Sequence, residues 1–291
     1  MNTVKDAVKK YLRRPGNQPL QAKVNATVGF LRAQPSPILV YQMGKVGSTS
    51  VCRSLKVAGH HPVHVHFLTA QSHRHVTAAY EDVWMKPIHY YTEKLVRPYL
   101  KWTNHRLKVI SLVRDPIARY LSGLFQWPVC RDTVSEDAAK TRADVAERLS
   151  QPDALRYELT WFDRELKATL GVDVLSEPFD RERGYQTYHG PRADILVLKL
   201  ERLSELLPTV VSDFVGTPLQ NVRANVGKQK KKGNLYAEVK RTLQLAPSVC
   251  ERIYDHEWVR HFYTADEIAS FVQKWSAPSF EESHPDDRKS L

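Results

Sequence analysis

The chain has 291 residues, the length of one large α/β domain or of a domain with an appendage. A chain of this length can bury a hydrophobic core that is stable without disulfide bonds. Lys and Arg outnumber Asp and Glu by 43 to 32, and this basic balance suits nucleic acid, an anionic membrane surface or a multiply charged nucleotide. Three cysteines, Cys52, Cys130 and Cys250, are far apart and odd in number, which argues against a disulfide framework or a zinc site and favours a reducing compartment.

The first 36 residues are predicted to form an N-terminal amphipathic helix and a linker. Residues 1–14 place apolar side chains on one helical face and five Lys or Arg residues around the rest. Such a helix can lie on an anionic membrane, but we favour a surface helix packed on its own domain. The proline-containing stretch Pro15–Pro37 predicts a loose connection into the core. No apolar run has the length of a membrane span and no apolar signal core is found, so we expect a cytoplasmic protein, at most peripheral to a membrane.

A strand, a glycine-containing loop and a helix follow each other between Pro37 and Ala58. The apolar run Pro37–Tyr41 predicts a buried strand, and the spacing after Ser48 predicts a helix. A loop of this kind directs backbone N–H groups and the positive end of a helix dipole at one point, where Lys45 adds a full charge. The Walker pattern fails, because Gly44 and Lys45 are followed by Val46 and the position five before Gly44 is Leu39. The loop is still suited to a phosphate or sulfate group, with a structural βα turn as the alternative.

The segment Pro62–Leu68 alternates as a second strand, with His64 and His66 on one face. Two histidines at this spacing could bind a metal, but no third ligand stands nearby, so we predict no metal site. From Ala70 to Asn104 the pattern is helical and rich in aromatic residues, which favours core packing over a sugar-stacking platform.

A third apolar strand, Leu107–Val113, ends at Arg114. Asp115 is placed as a helix N-cap, Pro116 suits the first helical position, and Ser122 follows two turns on. An Arg fork and a hydroxyl that converge on one phosphate are chemically sound, because guanidinium is always charged and binds two oxygens at once. The alternative is a capped surface helix with a salt-bridged Arg114.

The charged, Ala-rich composition of residues 128–156 predicts a solvent-facing helical insertion or a lid. After it, the sequence predicts a strand at Ile195–Leu200 and closing helices from Tyr236 to Trp275. Its densest basic run, Asn225–Asn234, includes Lys230, Lys231, Lys232 and Gly233. Residues 277–291 are predicted to be a polar tail. Residues 37–276 therefore form the predicted domain.

These motifs resemble those of sulfotransferases that use 3′-phosphoadenosine 5′-phosphosulfate (PAPS). The loop Lys45-Val46-Gly47-Ser48-Thr49 resembles their 5′-phosphosulfate loop, and the pair Arg114 and Ser122 resembles their 3′-phosphate motif. Further motifs narrow the resemblance to the bacterial family of capsular polysaccharide synthesis proteins, which is sulfotransferase-like; they are Gln42–Ser48, Arg114–Pro116, Trp161–Glu165, Gly171–Val174 and Pro178–Asp180. The likeness extends from about Pro37 to Trp275.

The resemblance implies an enzyme that transfers a sulfuryl group from PAPS to a hydroxyl of a carbohydrate or polysaccharide, without nucleic acid or metal. It implies that Lys45 is catalytic and that His66 near the cofactor loop is the general base, with a structural role as the alternative for His66. It also implies cofactor contacts from a larger set: Lys45, Val46, Gly47, Ser48, Thr49, Ser50, Arg114, Ser122, Lys230, Lys231, Lys232 and Gly233. Asp163 and Glu165 could orient an acceptor, although we favour a capping role at the start of a helix for both.

The expected fold is a single α/β domain of the P-loop-like sulfotransferase type, with a mainly parallel sheet, flanking helices and the ligand beyond the carboxyl ends of the strands. Two other classes remain open. A non-enzymatic basic module would bind nucleic acid or anionic lipid with steep salt dependence, and a kinase with a variant loop would need ATP and Mg²⁺.

Overall fold

The computed structural model describes residues 18–81, 86–126, 134–222 and 233–278, and within them the chain is an α/β domain built on one five-stranded sheet. The strands lie in the order β2-β1-β3-β5-β4, and only β4 is antiparallel to its neighbour. The predicted mainly parallel α/β fold is therefore confirmed. The strands are β1 Ile38–Tyr41, β2 Val63–Val65, β3 Leu107–Val113, β4 Tyr185–His189 and β5 Ala193–Lys199.

Helices cover both faces of this sheet, as parallel strands require when they are buried on both sides. The strands β1, β3 and β5 are almost wholly buried. The helices of the first half are α1 Gln18–Arg32, α2 Ser48–Val57, α3 Ala70–Ala79, α4 Ile88–Trp102, α5 Pro116–Gln126, α6 Ala138–Ser150 and α7 Arg156–Leu159. Those of the second half are α8 Ala168–Leu170, α9 Leu203–Leu206, α10 Ser212–Val215, α11 Gly233–Thr242, α12 Pro247–Tyr254, α13 Glu257–Phe262 and α14 Ala265–Trp275.

Two stretches differ from the sequence-based prediction at the edges of the fold. The connection predicted between Pro15 and Pro37 is wrong over α1, which packs on α4 through an edge-to-face contact of Phe30 with Tyr99, at 5.5 Å between ring centroids. The antiparallel edge strand β4 was not predicted, because its residues alternate little between apolar and polar and follow a turn at Gly184.

The helix predicted within residues 128–156 is present as α6, but it packs on the domain and does not face only solvent. Helix α6 buries Thr141, Val145 and Leu149 completely, and its Arg142 Nη1 donates to Thr242 Oγ1 of α11 at 3.0 Å. Its other charged residues are exposed or partly exposed, so the composition reflects an ordinary amphipathic helix.

The end of β3 is fastened to the C-terminal helices by one buried carboxylate. Asp115 accepts from the Ile117 N–H at 3.0 Å, which confirms its predicted role as N-cap of α5. It also accepts from the Tyr254 hydroxyl and from Trp275 Nε1, each at 2.8 Å. Because Asp115 is only 2 % exposed, these bonds replace its hydration and fix α12 and α14 beside the strand end.

Two predicted segments, the amphipathic helix of residues 1–14 and the lysine run up to Lys232, lie outside the described residues. Within the described residues, none of the helices combines the length and apolar character needed to cross a bilayer.

The Asp115 network predicts a large stability difference between two aspartates that both cap helices. Asp115→Ala strips a buried hydroxyl and an indole N–H of their acceptor, so we expect a loss of unfolding free energy on the order of 3 kcal/mol. Asp137→Ala removes only the exposed N-cap of α6, and we expect a loss of about 1 kcal/mol. Urea unfolding of both variants measures the two values, and equal losses would contradict the proposed anchoring role of Asp115.

Candidate functional site

A cavity of about 620 Å³ lies beyond the carboxyl ends of β1, β2 and β3, the edge where parallel α/β sheets bind ligands. It gathers most of the predicted site residues from distant parts of the chain. The lining comprises Gly44, Lys45, Gly47, Ser48, Thr49, Ser50, His64, His66, Tyr80, Pro87, Ile88, His89, Arg114, Ser122, Gln126 and Leu200. Val46 is fully buried beside this lining, and Gly233 begins α11 as an exposed residue that does not line the cavity.

The loop between β1 and α2 has a backbone shape that its glycine makes possible. Lys45 and Gly47 both have positive φ angles, of 74° and 98°. A Cβ atom on Gly47 would displace the end of the Leu200 side chain, and the positive φ itself favours glycine at this position. Gly47 is the N-cap of α2 and no side chain caps the helix there. The N–H group of Ser50 donates to the Gly47 carbonyl at 3.0 Å. The N–H groups before it have no carbonyl one turn earlier in the helix, which suits this end of α2 to an anion.

Two guanidinium groups hold this loop from the α5 side. Arg114 Nη1 donates to the Lys45 carbonyl and Arg119 Nε donates to the Gly44 carbonyl, each at 2.9 Å. Arg119 is buried and forms an ion pair with buried Glu158, so its charge is compensated inside the protein. Both loop carbonyls are therefore held by arginine side chains, and one of these, Arg119, is itself fixed by Glu158.

A chain of hydrogen bonds connects the loop lysine with the predicted hydroxyl. Lys45 Nζ donates to Gln126 Oε1 at 2.9 Å, and Gln126 Nε2 donates to Ser122 Oγ at 3.2 Å. Lys45 and Ser122 therefore face the same cavity, and both form a hydrogen bond with the side-chain amide of Gln126. Gln126 was missed in the sequence analysis, although its position four residues after Ser122 puts both on one face of α5.

Three histidine rings form one wall of the cavity. The His66 ring centroid lies 4.4 Å from that of His64 and 4.5 Å from that of His89. The expectation that His64 and His66 share a face is confirmed, whereas His89 belongs to the first turn of α4 and no sequence spacing pointed to it. Burial lowers the pKa of each ring below its usual 6.5.

The hydrogen bond of His66 defines which of its nitrogens can accept a proton. Its Nδ1 lies 2.8 Å from the Gln42 carbonyl oxygen, which only accepts, so Nδ1 carries the hydrogen and Nε2 keeps a free lone pair. Burial, together with the Lys45 and Arg119 charges, lowers the pKa of His66 to about 4 although the Gln42 bond acts in the opposite sense. His66 is thus neutral at pH 7. Among the described residues, no group of three His, Cys, Asp or Glu side chains has the geometry of a metal site.

The two acidic candidates of the Trp161–Glu165 motif lie in different environments, and neither lines the cavity. Glu165 is buried and accepts from the Leu68 N–H at 2.6 Å, the Thr69 N–H at 3.2 Å and the Thr69 hydroxyl at 2.9 Å. Asp163 is exposed. Asp163 and Glu165 both lie in the first turn of a short helix, as expected, but no side chain makes a cap hydrogen bond there. Glu165 instead fastens the segment after β2.

Trp161 completes this support, because its Nε1 donates to the His66 carbonyl at 3.0 Å. An edge-to-face contact with Tyr41, 5.2 Å between ring centroids, packs the indole against the end of β1. Trp161 and Glu165 together hold the backbone that carries His66. The sequence did not predict this role, because each of the two residues contacts a partner about 95 residues earlier in the chain.

The fold and this cavity define an α/β protein whose candidate site presents cations and helix N–H groups suited to an anion. Residues 136–264 match the model of a family described as "Putative capsular polysaccharide synthesis protein". The matched segment contains the supporting residues Glu158, Trp161 and Glu165 and, of the cavity lining, Leu200. The rest of the lining, including Lys45 and Arg114, precedes it. No curated protein and no solved structure matches the chain.

The contacts of Glu165 predict that it is a structural residue. Glu165→Ala leaves two backbone N–H groups and the Tyr41 hydroxyl without their acceptor, so the unfolding free energy should fall by about 2–4 kcal/mol. Asp163→Ala, at an exposed position of the same motif, should change it by less than about 0.5 kcal/mol. Chemical denaturation tests this, and a Glu165→Ala protein of wild-type stability would contradict the assignment.

The lowered pKa of His66 predicts a pH dependence of stability. Because the folded pKa of about 4 lies below the unfolded value of 6.5, the neutral ring contributes fully above pH 6.5. That contribution is lost as the pH falls from 6.5 towards 4. Unfolding free energies measured across this window should fall more steeply in the wild type than in His66→Asn, by up to about 1.4 kcal/mol per pH unit.

The Asn variant keeps a donor near the position of Nδ1 but cannot take up the proton. His105→Asn, at an exposed position before β3, is the control and should retain the wild-type slope. Equal slopes in the wild type and His66→Asn would show that His66 is not held neutral.

Proposed function

We propose that the protein is a sulfotransferase that moves the sulfuryl group of PAPS to a hydroxyl of a carbohydrate or polysaccharide. One observation carries the proposal: a single cavity brings together the Lys45 loop, Arg114, Ser122 and His66, which lie up to 77 positions apart in the sequence (122 − 45). The match of residues 136–264 to a capsular polysaccharide synthesis family supports a carbohydrate acceptor.

The donors of the cavity fit a nucleotide with two anionic ends. On one side, the N-terminus of α2 and Lys45 suit a phosphosulfate, whose charge favours both N–H groups and an ammonium. On the other side, Arg114 and Ser122 suit the 3′-phosphate. Gln126 contacts both Lys45 and Ser122, so the two subsites are coupled through one side chain.

PAPS supplies a sulfuryl group attached to a phosphate leaving group. In the proposed transfer the acceptor oxygen forms a bond to sulfur, and the bond from sulfur to the bridging oxygen breaks. Lys45 and the N–H groups of Gly47, Ser48 and Thr49 stabilise the charge that develops on the leaving phosphate. The proton of the acceptor hydroxyl passes to His66 Nε2. No metal is required, because the lysine and the helix N–H groups already supply compensating positive charge.

The low pKa of His66 is compatible with this role in the complex. Burial and the nearby charges of Lys45 and Arg119 lower it in the protein alone. A bound dianionic phosphosulfate places negative charge beside the same groups, which raises the affinity of the ring for a proton. The base should therefore become stronger when the donor substrate is bound.

Thermal unfolding with adenosine 3′,5′-bisphosphate tests the proposed donor, because a ligand that binds the native state raises the unfolding midpoint. We expect stabilisation by the bisphosphate that exceeds stabilisation by ATP with Mg²⁺. Arg114→Ala should weaken bisphosphate binding by about 2–4 kcal/mol, the scale for removing one side of a desolvated charge pair. Arg260→Ala, an exposed arginine on α13, is the control and should bind like the wild type.

Stabilisation by ATP with Mg²⁺ alone would favour the kinase alternative. Indifference to all nucleotides, with salt-sensitive binding of nucleic acid or anionic vesicles, would favour the basic binding module.

The two histidines of the β2 segment provide a matched test of the general base. His66→Ala should lower turnover by about 10²–10⁴ with bisphosphate binding nearly intact, the usual range for loss of a general base. His64 lies one residue pair earlier on β2, and its buried Nε2 has no hydrogen-bond partner among the described residues. His64→Ala should therefore act mainly through packing and retain turnover within about tenfold of the wild type. A reversed order in the two variants would move the base to His64.

A further inference from the structure

The outer face of α4 forms a second cavity, separate from the candidate site. It has a volume of about 420 Å³ and we call it the α4 groove; its lining residues are His73, Lys94, Arg97, Pro98, Lys101 and Trp102. Lys94, Arg97 and Lys101 recur every three to four residues, so they line one side of the helix. Nothing in the proposed sulfuryl transfer uses these residues.

The positive charge of the α4 groove is poorly compensated by its own helix. Glu93 is the only acidic residue of α4, and its side chain is fully buried beneath the surface. It contacts His73 and lies 3.8 Å from Arg97. Lys94 and Lys101 are exposed, and α4 presents no exposed carboxylate to them.

An exposed indole stands beside these cations. Trp102 is 79 % exposed, and Lys101 Nζ lies 5.5 Å from its ring centroid. The prediction that the aromatic residues of this segment belong to the core is wrong for Trp102. A large apolar ring with an N–H donor, held open to solvent next to lysines, is suited to a ligand that combines apolar faces with negative charge.

Helix α4 connects the groove with the candidate site. Ile88 and His89 in its first turn line the main cavity, and five residues of its later turns line the groove. At 1.5 Å per residue, His89 and Lys101 are separated by about 18 Å along the helix axis. Twelve residues also turn the helix by about 120°, so a polymer with one unit in the main cavity would reach the groove by following α4 for a few units and passing partly around it.

We propose that the α4 groove binds an anionic polysaccharide, and that it holds the acceptor chain beyond the unit that is modified. The three cations attract the carboxylates or sulfates of the chain, and Trp102 contacts the apolar face of a sugar ring. This proposal rests on the proposed function for the identity of the acceptor, but the groove itself can be tested without PAPS and without turnover.

The test measures binding of a polyuronate of defined length to the full chain by calorimetry at two salt concentrations. Lys94→Glu/Lys101→Glu reverses the two exposed charges and leaves Arg97 beside the buried Glu93. We expect at least a tenfold loss of affinity and a shallower salt dependence. Trp102→Ala should lower the affinity severalfold, and neutral dextran should bind far more weakly than the polyuronate.

The matched control is Lys140→Glu/Arg148→Glu, which makes the same charge change at exposed positions of α6. It should bind the polyuronate like the wild type. Equal losses in both double variants would overturn the proposal, because the effect would then report net charge alone. Tighter binding of single-stranded DNA than of the polyuronate, with the same dependence on Lys94 and Lys101, would also overturn it and assign the groove to nucleic acid.

Binding of adenosine 3′,5′-bisphosphate should be unchanged in Lys94→Glu/Lys101→Glu, which also shows that the variant is folded. A variant that binds the bisphosphate but still binds the polyuronate like the wild type refutes the groove proposal and leaves the proposed sulfuryl transfer intact. Conversely, a chain that does not bind the bisphosphate but binds the polyuronate through Lys94 and Lys101 refutes the transfer proposal alone.

Discussion

The candidate site depends on how the backbone of the loop after β1 is held. Arg114 and Arg119 donate to the carbonyls of Lys45 and Gly44, so the carbonyls are bound from the α5 side and the N-terminus of α2 is available on the cavity side. Backbone with positive φ at Lys45 is unfavourable for a side chain and persists where its surroundings determine it. The close approach of Leu200 to Gly47 adds a steric constraint on the same loop.

Buried carboxylates anchor α5 and the segment after β2, which both border this site. Glu158 pairs with Arg119, Glu165 binds the segment that carries His66, and Asp115 joins the start of α5 to the C-terminal helices. A partly satisfied buried carboxylate would be costly, whereas these accept several hydrogen bonds or an ion pair each. Glu158 and Glu165 belong to the segment that matches the capsular polysaccharide synthesis family, so the matched region contributes the support of the cavity more than its lining.

Sequence patterns predicted the elements that are determined by residues close together in the chain. The strands β1, β3 and β5, the turn into α2 and the Asp115 cap follow from apolar runs and capping chemistry within a few residues. The convergence of Arg114 and Ser122 on the loop followed from the common edge of parallel strands. The parts that were missed depend on distant contacts. Among the described residues β4 pairs with β5 alone, and His89 reaches the cavity through the packing of α4. Glu165 contacts partners on β1 and after β2. The packing of α6 on the domain was not predicted, because charged residues dominate its composition and obscure the apolar pattern of its buried side.

The central claim is that one cavity holds both anionic ends of the donor nucleotide. A crystal structure with adenosine 3′,5′-bisphosphate tests it most directly. The account predicts the 5′-phosphate on the N–H groups of Gly47, Ser48 and Thr49 near Lys45, and the 3′-phosphate within hydrogen-bond distance of Arg114 and Ser122. A bisphosphate bound elsewhere on the surface, or bound in the cavity with its 3′-phosphate away from Arg114, would contradict the account.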